Sequence, residues 1–472
     1  MRSGSEISAL EARPSPAASA IIALTGLALA LTVTRWPLLQ ALVAVFTLLV
    51  VTLLFLRPEW SLVLFFSSGL IKEWLLLNVP LFARFDFTVA IFLLSATSLF
   101  FFLLRRGYLF EFKIHPSMLP LFLFTALLIF SITYTPSFKY GSAKAFSFLL
   151  FNWALFLFPI LLVREEAAAK RIMVILGTLA ISATVYTLFS LVKSLFSGSI
   201  IFSYRASFLG INPISFANWI GAISLLLITY LPSIGKRWHR RAVILALGVL
   251  LLALLAANSR GPMFSFIITL ILLLALRARK IPGRKLMQWV ALGLLFVVIA
   301  LLVLPEQVTS RYTDVITQEE GTRNYTFFTV NTRLFAWNAA LDMATARISS
   351  ILMVVGSGGF SQVVYGQDVR LYPHNIFIEV FCELGIAGVV VLLWYLASIL
   401  GDVLQTLRRK MTERMRSLFM AFCMAALFNF VNAQFSGDLN DNRRLWFFLG
   451  MVIALMQVIR SSSVEADHGS IR

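Results

Sequence analysis

The sequence predicts an all-α fold: a polytopic membrane bundle of about 12 to 14 transmembrane helices in a single domain spanning residues 1–472. Three observations predict it. Hydrophobic residues make up 59% of the chain, and 43 Phe stand against only 22 Asp and Glu, so most of it cannot face water. The apolar residues gather into runs close to the roughly 20 residues that a helix needs to cross a bilayer. The basic residues cluster in alternate connections between those runs, the asymmetry expected of a membrane topology.

In chain order the apolar runs cover 17–34, 38–56, 60–77, 87–104, 117–134, 145–163 and 172–195, then 214–234, 242–258, 262–276, 287–304, 374–403, 417–435 and 445–460. The first could alternatively be a cleaved signal, because Ala28-Leu29-Ala30 resembles a small-residue cleavage site. Arg105-Arg106 closes the fourth run, and Arg164 with Lys170-Arg171 separates the sixth from the seventh. "GKRWHRR", "RARKIPGRK" and "RRKMTERMR" fill later connections on the same side. With the amino terminus inside, about 25 of the 40 Lys and Arg fall inside and about 13 outside, which makes both termini cytoplasmic. The net charge of +18 is therefore topology; no basic helix or aromatic platform outside the apolar runs suggests nucleic acid. Cys382 and Cys423 both lie in apolar stretches and read as packing residues, not as a disulfide or a metal pair.

One connection, residues 305–373, is far longer than the rest and faces outward. Within it "TRLFAWNAALDMATARI" places Leu334, Trp337, Leu341, Ala344 and Ile348 on one helical face, so a surface helix is expected to lie on the bundle or the membrane interface. "GSGGF" at 356–360 reads as a flexible turn.

Four polar stretches fall on that outer side. "YRASFLGINPISFANW" puts Arg205 in a short connection before Asn212-Pro213. "AANSRGPMFSF" wedges Arg260 between two apolar runs, where its guanidinium needs an anion, a headgroup phosphate or a wet cavity. Arg333 lies four residues before Trp337, on the same side of the surface helix. "YPHN" then starts the next span: Pro373 suits a helix start, which would put His374 and Asn375 in the first turn beside free N–H groups. The positive end of the helix dipole would keep the imidazole neutral and able to take a proton. Glu379 and Glu383 follow at one-turn spacing and are expected to orient arginines or the histidine.

The spacing His374-Asn375, nine residues, Gly385, two residues, Gly388 resembles the signature of bacterial O-antigen ligases. "NSRG" at 258–261, Arg333 with Trp337, and "GSGGF" before the histidine resemble the wider superfamily, which includes O-antigen polymerases and protein O-oligosaccharyltransferases. The resemblance covers about residues 200–400. It implies an inner-membrane glycosyltransferase that moves a glycan from undecaprenyl pyrophosphate to an acceptor hydroxyl on the periplasmic side, without metal or nucleotide sugar. The acceptor would be lipid A-core for a ligase or another lipid-linked glycan for a polymerase. By the same resemblance the catalytic residues are His374, Arg260 and Arg333, and Arg205, Arg260 and Asn375 hold the donor pyrophosphate. Val389 and Val390 stand where the ligase signature often has threonines, which keeps the polymerase open. A transporter of lipid-linked glycans is the rival from another class. It would show broken helices, midplane charges and an internal repeat, whereas these polar residues gather on one side and no repeat is visible.

Overall fold

The computed structural model describes residues 48–79, 86–108, 115–198, 205–278, 283–304, 325–345 and 354–469, and these contain helices and no strand. In order they are α1 (Leu48–Leu56), α2 (Pro58–Ser67), α3 (Gly69–Asn78), α4 (Phe87–Arg106), α5 (Met118–Phe130), α6 (Phe138–Leu162), α7 (Glu166–Phe196) and α8 (Pro213–Tyr230). There follow α9 (Arg237–Ala256), α10 (Arg260–Ala278), α11 (Gly283–Val303), α12 (Tyr325–Thr345), α13 (Gly359–Tyr365), α14 (Ile376–Leu407), α15 (Glu413–Asn432) and α16 (Arg443–Gly469).

Nine helices among the described residues are long and apolar enough to cross a membrane, or ten if the bent pair α1–α2 is one span, and the protein is a multi-pass membrane protein. The difference from the larger number expected has local causes. The run 17–34 and most of 38–56 lie outside the described residues. At Arg57-Pro58 the chain turns by 111°, because a residue before proline leaves the helical region while proline itself suits a first helical turn. The run 60–77 is itself two short helices, which divide at Ser68. The run 117–134 gives only thirteen α-helical residues, closed by the tighter turn Ser131–Thr133.

α8 is the central element. α7, α9, α10 and α15 pack around it, and Trp219, Phe216 and Ile220 on α8 are fully buried. Close approach depends on small residues, as it does wherever lipid offers no hydrophobic drive between helices. A Cβ on Gly221 would lie 2.6 Å from the Phe428 ring, and one on Gly450 would lie 2.2 Å from the Phe156 carbonyl oxygen, so α15 and α16 seat directly on α8 and α6.

The surface helix forms as α12 and packs on α14, but its buried stripe is Ala336, Ala340 and Ala344, against Phe360 and Cys382. Leu334 and Leu341 are exposed instead, and Ile348 lies outside the described residues. Alanines let the two helices approach closely, which the bulkier face would prevent. Nor is "GSGGF" a loose turn. The Ser357 N–H donates to Ser131 Oγ (3.0 Å), its hydroxyl donates to the Gly141 carbonyl (3.0 Å), and Thr135 donates to the Ser357 carbonyl (2.8 Å). Gly358, at φ +69, presses on Gly141 so closely that a Cβ would be 2.9 Å from its backbone. The stretch is a clasp joining the end of α5 to α6.

Candidate active site

Three segments from distant parts of the chain meet on one short floor, residues 432–435 at the end of α15. The start of α10 is the first: a Cβ on Gly261 would lie 3.6 Å from Phe435 and 4.0 Å from the Asn432 carboxamide. The loop carrying Arg205 joins it, because Arg205 Nη2 donates to Ser259 Oγ at 2.7 Å and the Ala206 N–H donates to the Ala256 carbonyl at 3.0 Å. The start of α14 is the third, with Asn375 Nδ2 donating to the Gln434 carbonyl (3.3 Å) and the Ile376 N–H to the Ala433 carbonyl (3.1 Å). Arg205, Arg260 and His374 are thereby gathered at one end of the bundle. Among the described residues only Leu209, Asn258 and His374 are non-glycine residues at positive φ. Two of these three sit at this junction, where backbone strain of that kind tends to collect.

Arg333 comes from α12. It is half-buried with no carboxylate partner among the described residues, and burial holds its guanidinium below the ordinary arginine pKa. Four residues on, Trp337 Nε1 donates to the Pro373 carbonyl at 2.7 Å, which fixes α12 to the residue before the histidine. The His374 imidazole lies edge-on to the Tyr372 ring, centroids 4.6 Å apart. Burial depresses its pKa and the nearby Arg333 depresses it further, with Asp441 and Asp438 partly offsetting both. The shift favours a neutral imidazole, mainly through desolvation and then through the cation.

Asn375 takes a different part from the one expected. α14 begins at Ile376, and Asn375 is its N-cap, the side-chain oxygen accepting the Phe377 and Ile378 N–H groups at 3.0 and 3.1 Å. With the Ile376 N–H on Ala433, the first three N–H groups of the helix all have protein partners. The leading N–H groups of this helix are thus engaged within the protein and are not open to a ligand.

Glu379 and Glu383 are also redirected. They are buried, and both pair with the ammonium of Lys144 on α6, Glu383 at 2.5 Å. Among the described residues neither meets an arginine or the histidine, because α14 turns this face toward α6. These charges stand in the first eight residues of a 32-residue helix, within about 10 Å of its start at 1.5 Å per residue, toward that end rather than its middle. α14 does break, at Gly385 (φ 68°, ψ −164°). The break leaves the Glu383 carbonyl to accept the Gly356 N–H at 2.9 Å, which ties the clasp to α14.

The sequence reading overlooked the loop 436–442, "SGDLNDN". Asp438, fully buried, accepts from Arg370 (3.1 and 3.2 Å), from the Tyr140 hydroxyl (2.8 Å) and from the Asp441 N–H (2.7 Å). Asp441 also pairs with Arg370 and accepts the Tyr372 hydroxyl at 3.2 Å. Burial would raise the Asp438 carboxyl, but Arg370 and Lys144 bring it below the usual carboxylate value. A signal was present in the sequence: two aspartates and three uncharged polar side chains crowd a connection only nine residues long, 436–444, between two apolar runs.

The site thus sits on a multi-pass helical bundle with a cationic mouth, a neutral histidine and an acidic supporting loop. Residues 245–393, from within α9 to within α14, match the family model described as O-antigen ligase, and this match supports the O-antigen ligase superfamily. The match includes Arg260, Arg333, His374 and Asn375; Arg205 and the loop 436–442 lie outside it. No curated protein matches the chain.

Proposed function

We propose that the protein is an O-antigen ligase, which transfers a glycan from undecaprenyl pyrophosphate to a hydroxyl of lipid A-core on the periplasmic face of the inner membrane. What supports this reading, beyond the family match, is that Arg333 lies near His374, that the starts of α10 and α14 meet at residues 432–435, and that Arg205 is bonded to Ser259 beside Arg260. In the proposed step the acceptor oxygen attacks the anomeric carbon, the bond from that carbon to the pyrophosphate oxygen breaks, and the electron pair leaves with the pyrophosphate. His374 takes the hydroxyl proton, a task for which its depressed pKa keeps the acceptor nitrogen free near neutral pH. Arg260, Arg333 and Arg205 receive the diphosphate charge, where a desolvated guanidinium fork is worth more than in water. The topology that goes with this activity puts both termini in the cytoplasm.

Deleting the gene and running the cell's lipopolysaccharide on a gel tests the reading. Loss of all long glycan from the lipid A-core supports the ligase. A core bearing a single repeat unit replaces it with a polymerase, and an unchanged profile in a glycan-competent strain removes both.

A further inference from the structure

The transfer step leaves Lys144 without a role, although it lies directly beneath the site. It is fully buried, and its ammonium holds two buried carboxylates, those of Glu379 and Glu383. Dry ion pairs return little net stability over apolar packing, so stability alone is a weak reason for three charged groups in the interior of a membrane bundle.

The two glutamates have different second attachments. Glu379 accepts the Leu439 N–H, at 3.0 Å to Oε2, while the main-chain oxygen of Lys144 accepts from Asn440 Nδ2 at 3.0 Å. Two consecutive residues of the loop 436–442 are therefore moored to the Lys144–Glu379 pair. Glu383 instead reaches the Gly356–Gly358 clasp and makes no hydrogen bond to that loop among the described residues. From its mooring the loop extends Asp438 and Asp441 to Arg370, and Asp441 to the Tyr372 hydroxyl, whose ring packs on His374.

We propose that Lys144 is a positioning residue for glycan transfer, acting through Glu379 and the loop 436–442 to set Tyr372 and His374 against the arginines. The proposal rests on the transferase reading of the site and concerns how the histidine is held. The charged and titratable groups around His374 are Arg333 from α12, Arg370 and Tyr372 from its own segment, and Asp438 and Asp441 from the loop. If the loop shifts, the two aspartates retreat and Arg333 stays, so the imidazole loses the influences that raise its pKa.

Glu379→Gln and Glu383→Gln in the full-length, detergent-purified protein form the test. The first substitution weakens both attachments: it removes the negative charge that faces the Lys144 ammonium, and its single oxygen must serve Lys144 and Leu439 together. We expect Glu379→Gln to lower kcat by about tenfold, with KM for the lipid-linked donor within about twofold. The acid limb of its pH profile should move down by about half a pH unit, and amide exchange at Leu439 should speed up. Glu383→Gln should leave the limb and the Leu439 exchange in place. Unchanged Leu439 exchange in Glu379→Gln overturns the proposal whatever the activity, and so does an equal shift of the limb in both variants. A His374→Ala control with normal transfer removes the transferase reading of this site; the exchange measurement still decides whether the loop is moored as proposed.

Discussion

Trp337 donates its indole N–H to the carbonyl of Pro373 at 2.7 Å, and the next residue, His374, sits at φ +60°. A left-handed conformation costs a non-glycine residue about 1–2 kcal/mol and persists only where neighbours over-determine it. The Asn375 cap, the Ala433 and Gln434 carbonyls and the Trp337 bond supply that determination from two helices. Trp337→Phe keeps the ring and removes the bond. The expected outcome is a loss of about 1 kcal/mol in stability and a fall of about tenfold in kcat, with KM nearly unchanged. Thermal unfolding in detergent and steady-state transfer measure the two effects.

The pH profile should carry the imprint of Arg333. Under the proposed mechanism His374 accepts the proton and works only when neutral, so activity is expected to fall as pH drops through its pKa. That pKa lies below the ordinary imidazole value, by burial first and by Arg333 second. Arg333→Gln removes the repelling cation, so the pKa rises and the acid limb must move to higher pH. Asp441→Asn removes a charge that raises the pKa, so its limb must move to lower pH. The arginine variant should also lose roughly a hundredfold in kcat, the scale of deleting one donor to developing negative charge. Opposite displacements of the two limbs are the diagnostic result; displacement in the same direction removes His374 as the titrating base.

The signature glycines make a packing prediction. The break at Gly385 tilts the following turn so that a Cβ on Gly388 would lie 2.4 Å from Leu384 Cβ and 3.1 Å from Val380. Gly388→Ala should therefore cost about 1–3 kcal/mol by overpacking, and Gly385→Ala about 1–3 kcal/mol by forcing a side chain into backbone space that essentially only glycine populates. Only the second disturbs the bond between the Glu383 carbonyl and Gly356, so only it should loosen the clasp. Unfolding midpoints and protease sensitivity near residue 356 separate the two.

How far the sequence disclosed this arrangement depended on the range of each interaction. The spans from 87 onward showed in runs of apolar residues, and α9, α10, α14 and α15 begin and end within a few residues of where those runs do, because burial in lipid is a local and repetitive demand. Arg260 and His374 stood out because a charge or an imidazole beside a span is conspicuous. Partners were not legible. Lys144 lies at the edge of an apolar run on α6, and nothing within its own helix indicates that it meets glutamates on α14. The stripe of α12 was misjudged for a related reason: hydrophobicity favours the leucines, while the closeness of α14, which selects the alanines, is a tertiary fact.

Asn375 offers the sharpest separation of a structural from a ligand-binding role. Its oxygen caps two N–H groups of α14, and its NH2 donates to Gln434. Serine is an equally good cap but has no amide to offer, whereas alanine is neither. If capping is the role, Asn375→Ser retains activity within about threefold, and Asn375→Ala loses about 1 kcal/mol, unravelling the turn that fixes His374. If the amide instead donates to the pyrophosphate, serine and alanine lose transfer alike, and KM for the donor rises in both. Donor titrations on the two variants, alongside their unfolding midpoints, distinguish these outcomes. The engagement of all three leading N–H groups of α14 with protein oxygens favours the first, since a helix start that bound phosphate would leave those donors open.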